Sequence, residues 1–396
     1  MTRFVQIHWL TSYPAALLNR DDSGLAKRLP FGGCIRTRIS SQCLKRHWRM
    51  ANDDWSLSKL SDLTEADYGK RSRVHLKTLV ALPLINDERL DAAAVVKATS
   101  LLKIRIFQEE GDVSEDIEML DTQQAILLGA AETKYLQDIV RRIVMGDTEL
   151  EDALALKPKK KKALTPKQKE LAKDLNENLV ELVKGTKLPR GLETALFGRM
   201  ITSDLFSDRH AALHVAHAFT VHEQEAESDY FTVVDDLTRE AGETGSAGMF
   251  DTELTSGIYY GYVAVDVPLL ISNLGADAQL AGQVVERLVH LVGTVTPGAK
   301  LGSTAPYDYA ELILVETGKA QPRKLSNAFR QAVPPQMGAA TAALGSYLGQ
   351  VDKAHGASET RRHMAVEETH LARSESLCRP DLAEWARDTV AASMGE

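Results

Sequence analysis

Between residues 36 and 49 the chain reads RTRISSQCLKRHWR, a run that interleaves hydroxyl and amide donors with Arg and Lys. On a helix starting near Ser40, residues Gln42, Lys45 and Arg49 fall at i, i+3 and i+7. Leu44 and Trp48 fall i, i+4 on another side, so one face offers donors and charge while the other packs on a sheet. A serine at the helix start, with the free N–H groups there, adds a place where the macrodipole favours a phosphate. A solvated amphipathic helix is the plainer reading of the stripe by itself. Arg36 and Arg38, just before the helix, add weight to the phosphate reading, and both readings stay open on these residues alone.

Other residue types with chemical potential are sparser. His210, His214 and His217 are spaced i, i+4, i+7 with His222 close behind, which on a helix could present metal ligands. No HExxH accompanies them, so packing or hydrogen-bonding histidines are expected and no metal is assigned. Asp21 and Asp22 could hold Mg²⁺ beside a phosphodiester; a salt bridge with Arg20 or an Asx turn is the plainer reading. Cys34, Cys43 and Cys378 form no CxxC pair and no nucleophile–base arrangement.

The elements that must carry these residues follow from pattern. Residues 3–11 alternate as a strand, with Val5, Ile7 and Trp9 inward and Gln6 and His8 toward an open face. A long loop leads to the helix at 40–51, capped by serine. Residues 57–185 read as mostly helical, for example over 92–108 and 123–144, with helix resuming at 167–183. Residues 192–201 suit a strand or short helix, and 208–221 a helix. The stretch 223–256 holds ten acids and one base, broken by glycines, and suits a protruding hairpin. A strand at 257–267, a helix near 278–292 and a strand near 312–315 follow, then helices with loops over 335–396. A β-α-β ending paired with a strand–helix beginning fits a ferredoxin-like sheet, with the middle helices inserted.

The 396 residues carry a formal charge of −8, which alone argues against a nucleic-acid binder. Its distribution reverses that inference. Residues 1–49 and 157–169 are each net +7, leaving −22 for the rest. Odd, sparse cysteines suit a reducing, cytoplasmic setting, and no apolar run is long enough to span a membrane.

The opening strand, LNRDD at 18–22, FGG at 31–33 and R-x-R-I-S-S-Q-x-L-K-R at 36–46 resemble the backbone, CRISPR RNA-binding subunit of the type I-E CRISPR Cascade complex. ALxGRM at 195–200, AHAxTxH at 216–222, FTxVDDL at 231–237, TSG at 255–257 and PGAK at 297–300 continue the resemblance in order. It implies an α+β fold with a modified ferredoxin-like, RRM-type palm, a helical finger insertion and a β-hairpin thumb. The palm would comprise 1–55, 190–222 and 257–330, the fingers 56–189, the thumb 223–256, and a helical segment 331–396 would close the chain.

The resemblance further implies a non-catalytic subunit without cofactor that polymerises along crRNA. RNA-backbone contacts fall on Arg20, Lys27, Arg38, Ser40, Gln42, Lys45, Arg49 and Lys300. The thumb's Tyr230, Phe231, Thr232 and Val234, with Met200, would wedge between bases and turn nucleotides out; the alternative for Tyr230 and Phe231 is a small hairpin core. Lys159, Lys160, Lys161 and Lys162 would grip duplex DNA, where a solvated linker is the plainer reading. Implied partners are crRNA, target DNA, copies of itself in a helical filament, and the large, small, 5′-handle-binding and crRNA-processing endoribonuclease subunits, with no membrane. Two positions depart from the family: Cys34 stands where a lysine follows FGG, and Leu301–Gly302 where a base follows PGAK. A related type III-like backbone would instead use Asp21 or Asp22 for metal-dependent RNA cleavage.

Overall fold

The computed structural model describes residues 2–60, 63–64, 68–107, 112–155, 191–198, 210–234 and 246–394. Two compact units divide the chain, one from Met1–Leu60, Leu213–Ile271 and Asp277–Glu396, the other from Ser61–Ala212 and Ser272–Ala276.

The first unit opens with β1 (Phe4–Ala16), β2 (Arg28–Phe31), β3 (Cys34–Ile39) and α1 (Ser41–Met50). The second unit then pairs β4 (Lys70–Ser72) with β5 (Ile126–Leu128) and adds α2 (Ala92–Phe107), α3 (Ala130–Val144), α4 (Thr148–Ala155) and α5 (Leu192–Phe197). Its core gathers Leu76, Leu84, Leu102, Leu136, Ile139 and Leu150 from successive helices. The expected helix over 123–144 is in fact β5 followed by α3, because 126–128 finds a ladder partner in 70–72.

The chain re-enters the first unit as β6 (Leu213–Val215), β7 (Ala218–Thr220), β8 (Glu225–Val234) and the long β9 (Ser246–Asp266). There follow α6 (Ala278–Thr294), β10 (Leu312–Gly318), α7 (Met337–His355), β11 (Thr360–Ala365), β12 (Ser374–Ser376) and α8 (Arg379–Ala391). The sheet runs β12-β11-β10-β1-β9-β7-β3-β2, with β6 and β8 also pairing β9. Its ladders are antiparallel except β11–β12. On one face α7 contributes Ala340, Leu344 and Leu348 to a core with Leu10, Tyr260 and Leu314; α6 and α8 pack together and against β1 and β10.

Burial on both faces overturns the expectation of an open face on β1. Gln6 and His8 are buried, and every buried polar group needs a partner. The Gln6 Oε1 accepts from Tyr262 Oη at 2.8 Å and Arg323 N at 2.8 Å. The His8 ring joins Tyr260 Oη at 2.9 Å to Glu316 Oε2 at 3.1 Å. Arg323 and Arg361 also donate to Glu316, and Arg361 forks onto Asp352. Burial would push the Glu316 carboxyl up, but His8, Arg323 and Arg361 outweigh it and hold it at about 2. Burial outweighs the same carboxylate at His8 and lowers the imidazole. The neutral ring satisfies both contacts if Tyr260 donates to Nδ1 and Nε2–H donates to Glu316.

One close approach seats α1. Gly261 lies opposite Trp9 in the β1–β9 ladder, and a Cβ there would meet the Trp9 ring at 2.0 Å. The space lets the indole meet Trp48 of α1 edge-on, with centroids 6.0 Å apart.

Candidate nucleic-acid interface

Ser40 caps α1 as expected. Its Oγ accepts from Cys43 N at 3.2 Å, and its own N–H donates to Asn19 Oδ1 at 2.9 Å. Leu44 and Trp48 are buried, Gln42 is exposed, and Lys45 and Arg49 are half-buried, so the helix turns its donor face outward. The helix start itself is largely occupied by the protein. Ser40 and Ser41 are buried, and Ser41 N donates to His217 Nδ1 at 3.1 Å. A main-chain N–H can only donate, so Nδ1 is the acceptor and the His217 proton sits on Nε2. Burial, then Arg38, Lys324 and Lys27, lower its pKa and keep the ring neutral.

The two arginines before the helix part company. Arg36 is fully buried and donates to the carbonyls of Phe31 at 3.3 Å, Thr220 at 3.2 Å and Phe329 at 3.0 Å, so it ties strands together. Arg38 is half-buried, donates through Nε to Arg28 O at 3.2 Å, and brings Nη1 to 3.3 Å from His217. In the preceding loop a bridge pairs Arg20 with Ala26. Asp21 Oδ1 accepts from Ser23 N at 2.9 Å and Leu25 N at 3.0 Å, so Asp21 forms the Asx turn. Arg20 is exposed, and Lys27 half-buried with its carbonyl accepting from Arg38 N at 2.7 Å.

The 297–300 segment is carried to the same place. Gly298 N donates to His47 Nε2 at 3.4 Å, and Ala299 N to Leu17 O at 2.9 Å. Lys300 Nζ then donates to Thr252 Oγ1 at 2.5 Å and lies 5.8 Å from the centroid of the Phe231 ring. From the hairpin, Glu253 pairs with Arg28 and accepts from Ala26 N at 2.6 Å. Early loop, α1, Lys300 and the base of the hairpin therefore form one continuous surface.

Residues 225–234 and 246–256 pair as an antiparallel hairpin, and Tyr230 and Phe231 lie mid-strand. They are 62% and 41% exposed, so neither forms a hairpin core. Adjacent strand residues point to opposite faces, and Phe231 turns toward Lys300. Thr232 and Val234 continue β8. Met200 and Lys159, Lys160, Lys161 and Lys162 lie outside the described residues.

The histidines do not share a helix. His214 is in β6, His217 in the connection to β7, and His210 precedes both, because 213–215 and 218–220 are drawn into ladders with β9. His222 is buried, accepting from Ile258 N at 3.1 Å and donating to Glu223 O at 2.7 Å. Among the described residues no group of His, Cys, Asp and Glu is placed to hold a metal ion. Burial pushes the Cys43 thiol up to about 11, so it is not a ready thiolate. The roles of Glu253, His47 and His217 had no local sequence signal; each depends on a partner far along the chain.

In the second unit a cavity of about 660 Å³ is lined by residues including Lys70, His75, Lys134, Gln137 and Arg141. Arg141 there pairs with Glu88 and Asp138, Gln137 donates to Leu79 O at 2.8 Å, and His75 Nε2 lies 2.9 Å from Thr133 Oγ1.

The CT1975-like protein family matches residues 5–386, nearly the whole length. The chain belongs to that family. Its fold is similar to a chain of a structure described as "CRISPR RNA-guided surveillance complex, pre-nicking", with TM-score 0.75, 25% identity, and coverage of 98% of this chain and 100% of that one. A second similar fold, from a "CRISPR RNA-guided surveillance complex", gives TM-score 0.57 at 20% identity, covering 98% and 99%. No curated protein matches by sequence. Together the family and folds bear out the sequence resemblance at the level of a Cascade-type CRISPR subunit. Among the described residues no helix of this CT1975-like protein is long and apolar enough to cross a membrane.

Proposed function

We propose that this CT1975-like protein is the non-catalytic, RNA-binding backbone subunit of a type I-E CRISPR surveillance complex, with a modified ferredoxin-like palm. The full-length fold similarity to a surveillance-complex chain carries the reading. The central order β10-β1-β9-β7, with α1 and α6 between strands, supports the palm assignment.

The mechanism is positional. Arg20, Lys27, Arg38, Lys45, Arg49 and Lys300 neutralise phosphates, Gln42 adds an amide donor, and Ser40 acts by fixing the start of α1. Phe231 stacks on bases without selecting among them, since every base has a π-face. Tyr230, on the opposite hairpin face, is presented to the next nucleotide segment or the next copy. Specificity passes to pairing of the crRNA with target DNA, with Lys159–Lys162 gripping the duplex. Heterologous contacts between copies generate the filament, which the large, small, 5′-handle-binding and RNA-processing subunits complete.

Expression of the chain with a CRISPR array tests this. Purified protein should carry RNA protected at a regular repeat; absence of bound RNA removes the proposal. Mg²⁺-dependent cleavage of complementary RNA by the assembled complex, lost in Asp21→Ala, would instead identify a catalytic backbone.

A further inference from the structure

We infer that the segment from Leu301 to Tyr309 is a second base-stacking platform, with Tyr307 receiving an unstacked nucleobase beside Lys300. The inference rests on the RNA-binding reading above and extends the interface beyond the hairpin.

Leu301, Tyr307 and Tyr309 are 42%, 70% and 64% exposed within nine residues of chain, on the segment that directly follows Lys300. The display is built. A Cβ on Gly298 would lie 2.4 Å from Leu301 Cδ2 and 3.3 Å from Pro306 Cγ, so the segment folds back over that glycine. The fold brings Pro306, the residue before Tyr307, against Gly298, whose N–H donates to His47 of α1. Ala305 turns the chain in the left-handed region, at φ 40°, and accepts from Tyr307 N at 2.7 Å. Left-handed backbone is costly for a residue with a Cβ, and it recurs where surrounding structure fixes a functional geometry.

Both ends of the segment are anchored. Thr304 Oγ1 donates to Lys300 O at 2.8 Å, Thr296 Oγ1 to Asp308 O at 3.2 Å, and Ala310 N to Gly293 O at 2.9 Å. Asp308 is half-buried, and the other exposed residues are Leu301 and the small Gly302, Ser303 and Ala305, so the tyrosines are the aromatic surface of the segment. Arg379 lies 5.4 Å from the Tyr309 ring centroid and braces it. An exposed aromatic ring on an anchored stretch of backbone is what a single-stranded nucleic acid stacks on, because little backbone ordering remains to be lost. The segment carries no hydrogen-bond pattern specific to one base, so the ligand is any unstacked nucleobase of single-stranded RNA.

Fluorescence anisotropy of the full chain with a short, unstructured, labelled RNA tests this. Tyr307→Ala should weaken binding by about 5- to 150-fold. Tyr307→Trp should retain it, and the salt slope should not change, since no charge is removed. Replacing bases of the RNA by abasic sites should weaken the wild type and leave Tyr307→Ala less affected. Wild-type affinity in Tyr307→Ala overturns the inference while leaving the RNA-binding reading intact, provided Lys45→Ala still weakens binding. Unchanged RNA affinity combined with impaired assembly of copies would also overturn it and mark the segment as a protein contact. No RNA binding by the wild type removes both.

Discussion

Two charged regions of the same unit use the same residue types in opposite ways. Around Glu316, Arg361 and Arg323 meet carboxylates inside the protein, and Arg361 and Glu316 are fully buried. Along α1, Lys45 and Arg49 stay half-buried on a face that Leu44 and Trp48 have turned outward. A guanidinium taken out of water needs its charge met inside the protein, by carboxylates or by several carbonyls, whereas a half-exposed cation keeps enough solvent contact to meet an incoming anion. The contrast reaches down to neighbours in β3: Arg36 is consumed by three carbonyls, and Arg38, two residues on, borders the open face.

The largest effect is expected inside. Arg361→Ala leaves Glu316 and Asp352 short of their counter-charge and should cost about 3–5 kcal/mol in denaturant unfolding. A loss no greater than that of Arg49→Ala would erase the distinction between the regions. On the outer face, the Lys45→Ala/Arg49→Ala pair should weaken RNA binding roughly 30- to 100-fold. It should also flatten the salt slope by about 1.4, with little change in Tm. An unaltered slope would mean that these residues do not meet phosphates.

The smallest effect concerns a buried base that stays neutral. His290 stacks on Trp55 at 3.5 Å, and burial, then Arg379 and Arg287, bring its pKa down to about 4. The unfolded chain takes up this proton near pH 6.5 and the native chain only near 4, so stability is full above 6.5 and falls as pH drops through that window. The share should be on the order of 2 kcal/mol. His290→Phe keeps a ring under Trp55 and should remove that part of the acid loss; an unchanged pH profile between 6.5 and 4 would refute it.

Local pattern made β1, the Ser40 cap, α1 and α6 legible, since alternation, a hydroxyl before an apolar-periodic run and helical spacing are all written in adjacent residues. The two-sided burial of β1 was hidden, because Gln6 and His8 look solvent-facing until Tyr260, Tyr262 and Glu316 arrive from more than 250 positions away. Alanines at 211, 212, 216 and 218 gave 208–221 a helical look that pairing with β9 overrode. Strands β11 and β12 were missed for a related reason: TRRHMA and SES have no apolar alternation, and their charges are satisfied by partners in the fold. The basic face of the site was readable; the division of labour between Arg36 and Arg38 was not.

The length of β9 has a consequence for how this protein can vary. One uninterrupted strand of 21 residues belongs to the sheet at one end and to the hairpin at the other. The paired arms from Ser246 to Ser256 extend about 35 Å from that junction. Because side chains alternate, adding one residue to each arm below Phe231 would swap its face with that of Tyr230, whereas adding two would restore it. Paired insertions below Phe231 therefore keep its ring on its present face only in even steps, each adding about 7 Å of reach.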